Sequence, residues 1–208
     1  MGYRLCASIS DFVFLPNALR HTAKFATRTD NHIMSKYRPP RRVAGFYKKD
    51  ELQRLILRRT QQATLDVAQV KDAIAGRYYQ KRAIGSIFGQ FTQARRKALL
   101  VMATGTGKTR TAIALVDVLQ RAGWVKRALF LADRVSLVKQ AVGAFKAHLP
   151  ESSPVNLVTE KETEGRVYVC TYPTMLNLLD QTDGGEARFS SGHFDLVIID
   201  EAHRSVYQ

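Results

Sequence analysis

Hydrophobic positions change their pattern along the chain. From Ala98 onward, short continuous apolar runs alternate with stretches in which apolar residues recur every three or four positions. The runs Ala98–Met102, Ala128–Ala132, Val155–Val158, Val167–Cys170 and Leu196–Ile199 predict buried strands. The periodic stretches predict helices over Thr109–Arg121, closed by Gly123, over Ser136–His148, stopped by Pro150, and after Pro173. Such alternation predicts an α/β fold with a parallel sheet, right-handed crossovers and helices on both faces.

Ahead of Ala98 the pattern is helical. Leu52, Leu55 and Ile56 followed by Arg58-Arg59 give an amphipathic helix with a basic end, opened by Asp50 and Gln53 in the spacing of a capping box. A second helix begins near Tyr78, because Ala83, Ile84, Ile87, Phe88 and Phe91 share one face. Residues 1–44 hold no sustained period, and Pro39-Pro40 with Arg41-Arg42 marks them as an irregular basic arm. Three regions result: the arm 1–44, a helical linker 45–97 and the α/β region 98–208.

Charge sharpens this division. The net charge is +14 over 208 residues. All of the excess lies in residues 1–99, which suits contact with a polyanion because Lys and Arg release the counterions condensed on phosphates. The longest apolar run, Ala98–Ala103, is far short of the ~20 residues that span a bilayer. Cys6 and Cys170 stand alone, without the spacing of a disulfide framework or a zinc site. Asp11 interrupts the N-terminal apolar patch, no small-residue cleavage site follows it, and Cys6 takes the place where myristoylation needs Ser or Thr. A cytoplasmic protein is expected.

The chemistry concentrates in two places. Ala103-Thr104-Gly105-Thr106-Gly107-Lys108-Thr109 lies between a predicted strand and a predicted helix, the setting of a phosphate-binding loop. Its glycines let the backbone wrap an anion, and the helix beginning near Lys108 adds a positive dipole end. Lys108 is the candidate contact for the β- and γ-phosphates of a nucleotide, and the Thr109 hydroxyl is the candidate Mg²⁺ ligand. Met102 stands where the general pattern has glycine. The second place is Asp200-Glu201-Ala202-His203, directly after the strand Leu196–Ile199, at the end of the sheet where α/β folds bind ligands. Asp200 is assigned to the Mg²⁺ shell and Glu201 to polarising the attacking water, provided the strand ends and the backbone turns there.

MATGTGKT and DEAH resemble motifs I and II of superfamily 2 helicases. The stretch Gly45–Gln208, roughly four-fifths of the chain, with GFYKKDELQRLI, AGRYYQKRAI, WVKRALFLADR, VYVCTYPTM and FDLVIIDEAHRSVYQ, resembles the R (motor and restriction) subunit of type I restriction-modification enzymes. The resemblance implies a RecA-like P-loop NTPase lobe that uses ATP and Mg²⁺ to drive double-stranded DNA past the enzyme, beside methyltransferase and specificity subunits. It implies that Gln80 reads adenine, that Arg134 and Thr171 hold the DNA backbone, and that His203 couples the two sites. Motifs III to VI of the family, its second-lobe arginines and its nuclease find no match here. The chain is therefore expected to be a partial motor subunit that hydrolyses ATP very slowly and is poorly soluble. Two other readings stay open: a non-enzymatic basic module with a vestigial nucleotide site, and a lobe of an RNA helicase of the same superfamily.

Overall fold

The computed structural model describes residues 48–160, 164–183, 186–190 and 192–202, together with three short strands before them. Those strands are β1 (Phe12–Pro16), β2 (Ala23–Thr27) and β3 (Arg42–Val43). There follow α1 (Lys49–Gln61), α2 (Asp72–Ala75), α3 (Tyr78–Thr92), α4 (Lys108–Arg121), β4 (Ala128–Ala132) and α5 (Val135–His148). The chain continues through β5 (Pro154–Asn156), β6 (Val167–Thr171), α6 (Tyr172–Leu179), β7 (Thr182–Asp183), β8 (Glu186–Ala187) and β9 (Leu196–Ile199). It divides into two compact units, Met1–Leu57 with Leu179–His193, and Arg58–Leu178 with Phe194–Gln208.

In the first unit β1, β2 and β3 form an antiparallel sheet in which Phe14 lies opposite Phe25. The expectation of a wholly irregular arm over 1–44 is corrected for these stretches. FVFL and KFAT are rich in β-branched and aromatic residues, and they pair with each other although neither alternates polar and apolar positions. β7 and β8 pair as a second antiparallel ribbon. The start of α1 also differs from the expected frame. The buried Glu51, rather than Gln53, reaches back: its Oε2 accepts from the Lys48 backbone N–H at 2.9 Å, and its Oε1 accepts from the Ser190 hydroxyl.

The second unit holds the parallel sheet, with spatial order β5-β6-β4-β9. β4 and β6 are buried along their whole length, as expected for strands covered on both faces. Ala128, Phe130, Ala132, Val167 and Val169 join the main core with α4 and α5, where the rings of Phe130 and Phe145 meet edge to face at 5.8 Å. Leu129, Leu131, Tyr168 and Cys170 alternate to the other face and are buried there, with Tyr168 against Phe194. Asp195 ties the entry to β9 onto the entry to β4. Its Oδ2 accepts from the backbone N–H groups of Lys126 (2.8 Å) and Arg127 (2.9 Å), while Oδ1 pairs with Arg58.

One predicted strand does not form. Residues 95–103 have no regular structure, and Leu99 and Val101 are 82% and 84% exposed. Hydrophobicity marks Ala98–Met102 as a segment that favours burial, but a strand also needs a neighbour to complete its backbone hydrogen bonds. None of the described residues pairs with it. β9, at one edge of the sheet, is correspondingly half open: Val197 and Ile199 are about half exposed while β4 beside it is closed.

Candidate functional site

The loop and the acidic pair Asp200-Glu201 meet at the carboxyl end of the parallel sheet. β9 pairs with β4 as far as Ile199 opposite Leu131, and the Asp200 N–H donates to the Leu131 carbonyl at 2.9 Å. The ladder ends there. Glu201 follows with φ +50°, a left-handed turn rare for a residue with a side chain, and its N–H donates to Asp200 Oδ1 at 3.1 Å. Two consecutive carboxylates thus follow the end of the strand.

On the other side, the chain from Ala103 to Gly107 closes on itself. The Thr106 hydroxyl donates to the Ala103 carbonyl at 2.6 Å, and Gly105 and Gly107 take φ +77° and +85°. Gly107 caps α4, so Lys108 is the first helical residue and Thr109 the second. Lys108 reaches over the loop to Glu201, with Nζ 2.6 Å from Oε1. This contact between residues 93 positions apart brings the two predicted motifs together. The hydrogen bond to Glu201 raises the Lys108 pKa above its ordinary 10.5, partial burial opposes that rise, and the charges of Glu201 and Asp200 add to it.

Gln80 is buried at the start of α3, and its amide faces the loop: Nε2 donates to the carbonyls of Thr106 (3.2 Å) and Gly107 (3.4 Å), and Oε1 accepts from the Arg77 N–H at 3.3 Å. For adenine to be read at Gln80, as the resemblance implies, this amide has to exchange the loop carbonyls for the base. Thr104 and Gly105 are exposed, whereas Thr106, Gly107, Lys108 and Thr109 are half-buried. A Cβ at Gly107 would lie 2.7 Å from Gln80 Nε2, so the end of that side chain would have to move. Gly107→Ala is therefore expected to destabilise the chain by about 1–2 kcal/mol through its left-handed φ alone and to displace Gln80. Urea unfolding monitored by circular dichroism measures the first effect.

The two candidate DNA contacts differ. Arg134 caps α5 beyond β4 with its side chain 67% exposed and Nε 3.4 Å from Asp133. Thr171, in contrast, is buried at the end of β6, and its hydroxyl shares a 2.9 Å hydrogen bond with that of Thr174. His203 lies outside the described residues. Tyr79 and Arg77 went unnoticed in the sequence, yet the Tyr79 hydroxyl donates to the Thr106 carbonyl at 3.1 Å and accepts from Arg77 Nη1 at 2.7 Å. The only available signal was their place beside Gln80 in the word RYYQ.

The donors available fit Mg²⁺ rather than a softer metal. A threonine hydroxyl and an aspartate are hard oxygen ligands of the kind that leave room for phosphate oxygens. Among the described residues no group of three or more His, Cys, Asp or Glu gathers into a metal cluster. Burial pushes the Cys170 thiol up to about 12, so it carries no thiolate chemistry near neutral pH.

Over 136 residues the chain is 36% identical to the EcoKI endonuclease subunit of a type I restriction enzyme from Escherichia coli strain K12, covering 62% of this chain and 11% of that subunit. Over 134 residues it is 36% identical to the EcoAI endonuclease subunit from Escherichia coli, covering 62% of this chain and 16% of the relative. The chain thus spans less than a fifth of the length of these relatives. A solved fragment assigned to an HsdR subunit of a type I restriction enzyme from Vibrio vulnificus YJ016 aligns over 93% of this chain and 34% of its own, with a TM-score of 0.46 and 23% identity. Residues 73–208 match the family described as type III restriction enzyme, res subunit, and the chain belongs to that family.

Proposed function

We propose that this chain is the ATP-binding lobe of the motor subunit of a type I restriction enzyme, holding Mg·ATP between the loop 104–109 and the carboxylates 200–201. The observation that carries this reading is the Lys108–Glu201 contact of 2.6 Å at the carboxyl end of the sheet. An ammonium at a helix N-terminus beside a glycine-rich turn suits a polyphosphate, and the Glu201 carboxylate now sits where a phosphate oxygen would pair with it. Lys108 would bind the β- and γ-phosphates, and Thr109 and Asp200 would supply oxygen ligands to Mg²⁺. The metal, when bound, neutralises charge on the phosphates.

Partner exchange follows from the ion pair. As Lys108 turns to phosphate, Glu201 is released to accept a proton from the attacking water. ATP hydrolysis so arranged would drive double-stranded DNA, held at Arg134, past a complex that includes methyltransferase and specificity subunits in the cytoplasm. Thr171 would serve that grip indirectly, by fixing the half-buried Thr174. The 36% identity to two type I endonuclease subunits supports the choice of motor. Among the described residues no helix is long and apolar enough to cross a membrane.

The metal assignment is tested by calorimetric titration of ATP with Mg²⁺ or with EDTA. The wild-type chain should bind more tightly with Mg²⁺, and Asp200→Asn should erase that difference while retaining metal-free binding. A Mg²⁺ effect that survives Asp200→Asn removes Asp200 from the site.

A further inference from the structure

We infer that Tyr79, oriented by Arg77, is a positioning residue for the phosphate-binding loop: it sets affinity for phosphorylated nucleotides without touching them. This rests on the nucleotide-site reading above and deepens it. Thr106 stands between two glycines in left-handed conformations, so the peptide planes on either side of it can rotate at little steric cost. A trans peptide is planar, and its C=O and N–H point in opposite directions. Whatever holds the Thr106 carbonyl therefore also aims the Gly107 N–H, which belongs to the turn that would cradle phosphate.

Among the described residues, that carbonyl is held from α3 alone. Tyr79 Oη donates to it at 3.1 Å, and Gln80 Nε2 donates at 3.2 Å while dividing itself with the Gly107 carbonyl. The Gly107 carbonyl has further support, accepting from the Thr111 N–H (3.0 Å) and hydroxyl (3.1 Å), as in any first helical turn. The Thr106 plane lacks such support, which makes Tyr79 the donor wholly committed to it. Arg77 Nη1 donates to Tyr79 Oη at 2.7 Å, so the hydroxyl proton is left to point at Thr106. The Tyr79 ring is 40% exposed and lies outside the hydrophobic core, which leaves the hydroxyl as its contribution.

The test titrates ATP, ADP and adenosine, with Mg²⁺ present, into the full 208-residue chain. One neutral hydrogen bond corresponds to about five-fold in affinity. Tyr79→Phe should therefore weaken ATP and ADP by about five-fold, leave adenosine unchanged, and leave the unfolding midpoint without nucleotide unchanged. Arg77→Met should show a smaller loss alone and none in the Tyr79→Phe background, because it acts through the same hydroxyl. If Tyr79→Phe binds ATP as the wild type does while Lys108→Ala does not bind, the inference is overturned and the nucleotide site stands. Equal losses for adenosine and ATP, or additive effects of Arg77 and Tyr79, also overturn it. A wild-type chain that binds no nucleotide overturns both readings.

Discussion

Lys108→Ala should lower the affinity for Mg·ATP on the order of 100-fold, because it removes a charge-assisted contact to the phosphates worth up to about 3 kcal/mol. Glu201→Gln is the informative companion. It shortens no side chain but weakens the 2.6 Å pair that Lys108 makes with Glu201. Binding should then be unchanged or tighter, since phosphate no longer competes with a carboxylate, and any hydrolysis should fall. Calorimetry reads the first effect and phosphate release the second. Loss of binding in Glu201→Gln would mean that the carboxylate serves the nucleotide directly.

The pH dependence of this pair has a definite sign. Its folded-state ammonium has a pKa raised above 10.5, chiefly by the hydrogen bond to Glu201. The stability that depends on the Lys108 ammonium is therefore complete below that ordinary value and is lost as pH rises through the higher folded-state value. Around neutrality Lys108 remains charged, so its share of ATP affinity should not vary there. A decline in affinity near neutral pH that Lys108→Ala abolishes would contradict this assignment.

The largest stability effect is expected away from the site, at Asp117 on α4. Its carboxylate is 6% exposed and fully engaged: Oδ2 accepts from Arg121 Nη2 at 2.8 Å and Nε at 3.1 Å, and Oδ1 from Lys71 Nζ at 3.1 Å. Arg121 Nη2 also donates to the Gln69 carbonyl at 2.6 Å, so the cluster fastens the segment before α2 onto α4. The partners are unequal, because Lys71 and Arg121 are 54% and 42% exposed and water can take them back.

Removing the cations strands a buried negative charge, whereas removing the anion strands only solvated positive ones. Lys71→Met with Arg121→Met should therefore cost about 3–5 kcal/mol, and Asp117→Asn about 1–2 kcal/mol. For a chain of this length the double variant should melt lower by about 6–20 °C. Adding Asp117→Leu to the double variant should restore much of the loss. Calorimetric melting of the three variants measures the order, and an Asp117→Asn chain less stable than the cation-stripped one would refute the argument.

Much of the fold was legible along the chain because apolar period and run length record which face of an element is buried. β4, β6 and β9 and helices α3, α4 and α5 lie within two residues of where that pattern put them. The loop 104–109 and the acids 200–201 were legible for a different reason: residue types with few alternative uses stood at a strand–helix turn and at a strand end. Ala98–Met102 shows the limit of the same reasoning. Its hydrophobicity states a demand for burial, and hydrophobicity carries no information about which strand, if any, stands beside it.

The site divides in the same way. By itself the sequence determined the succession α4, β4, α5, β6, α6 and β9, the glycine turn with its lysine, and the paired acids that end a strand. Only the tertiary structure decided that Lys108 rests on Glu201, that Gln80 and Tyr79 brace the loop backbone, and that Thr171 is buried beneath Thr174. The difference is physical. Element order and turn chemistry are set by residues a few positions apart, while partners come from closing loops of tens of residues, where distance along the chain says nothing about direction in space.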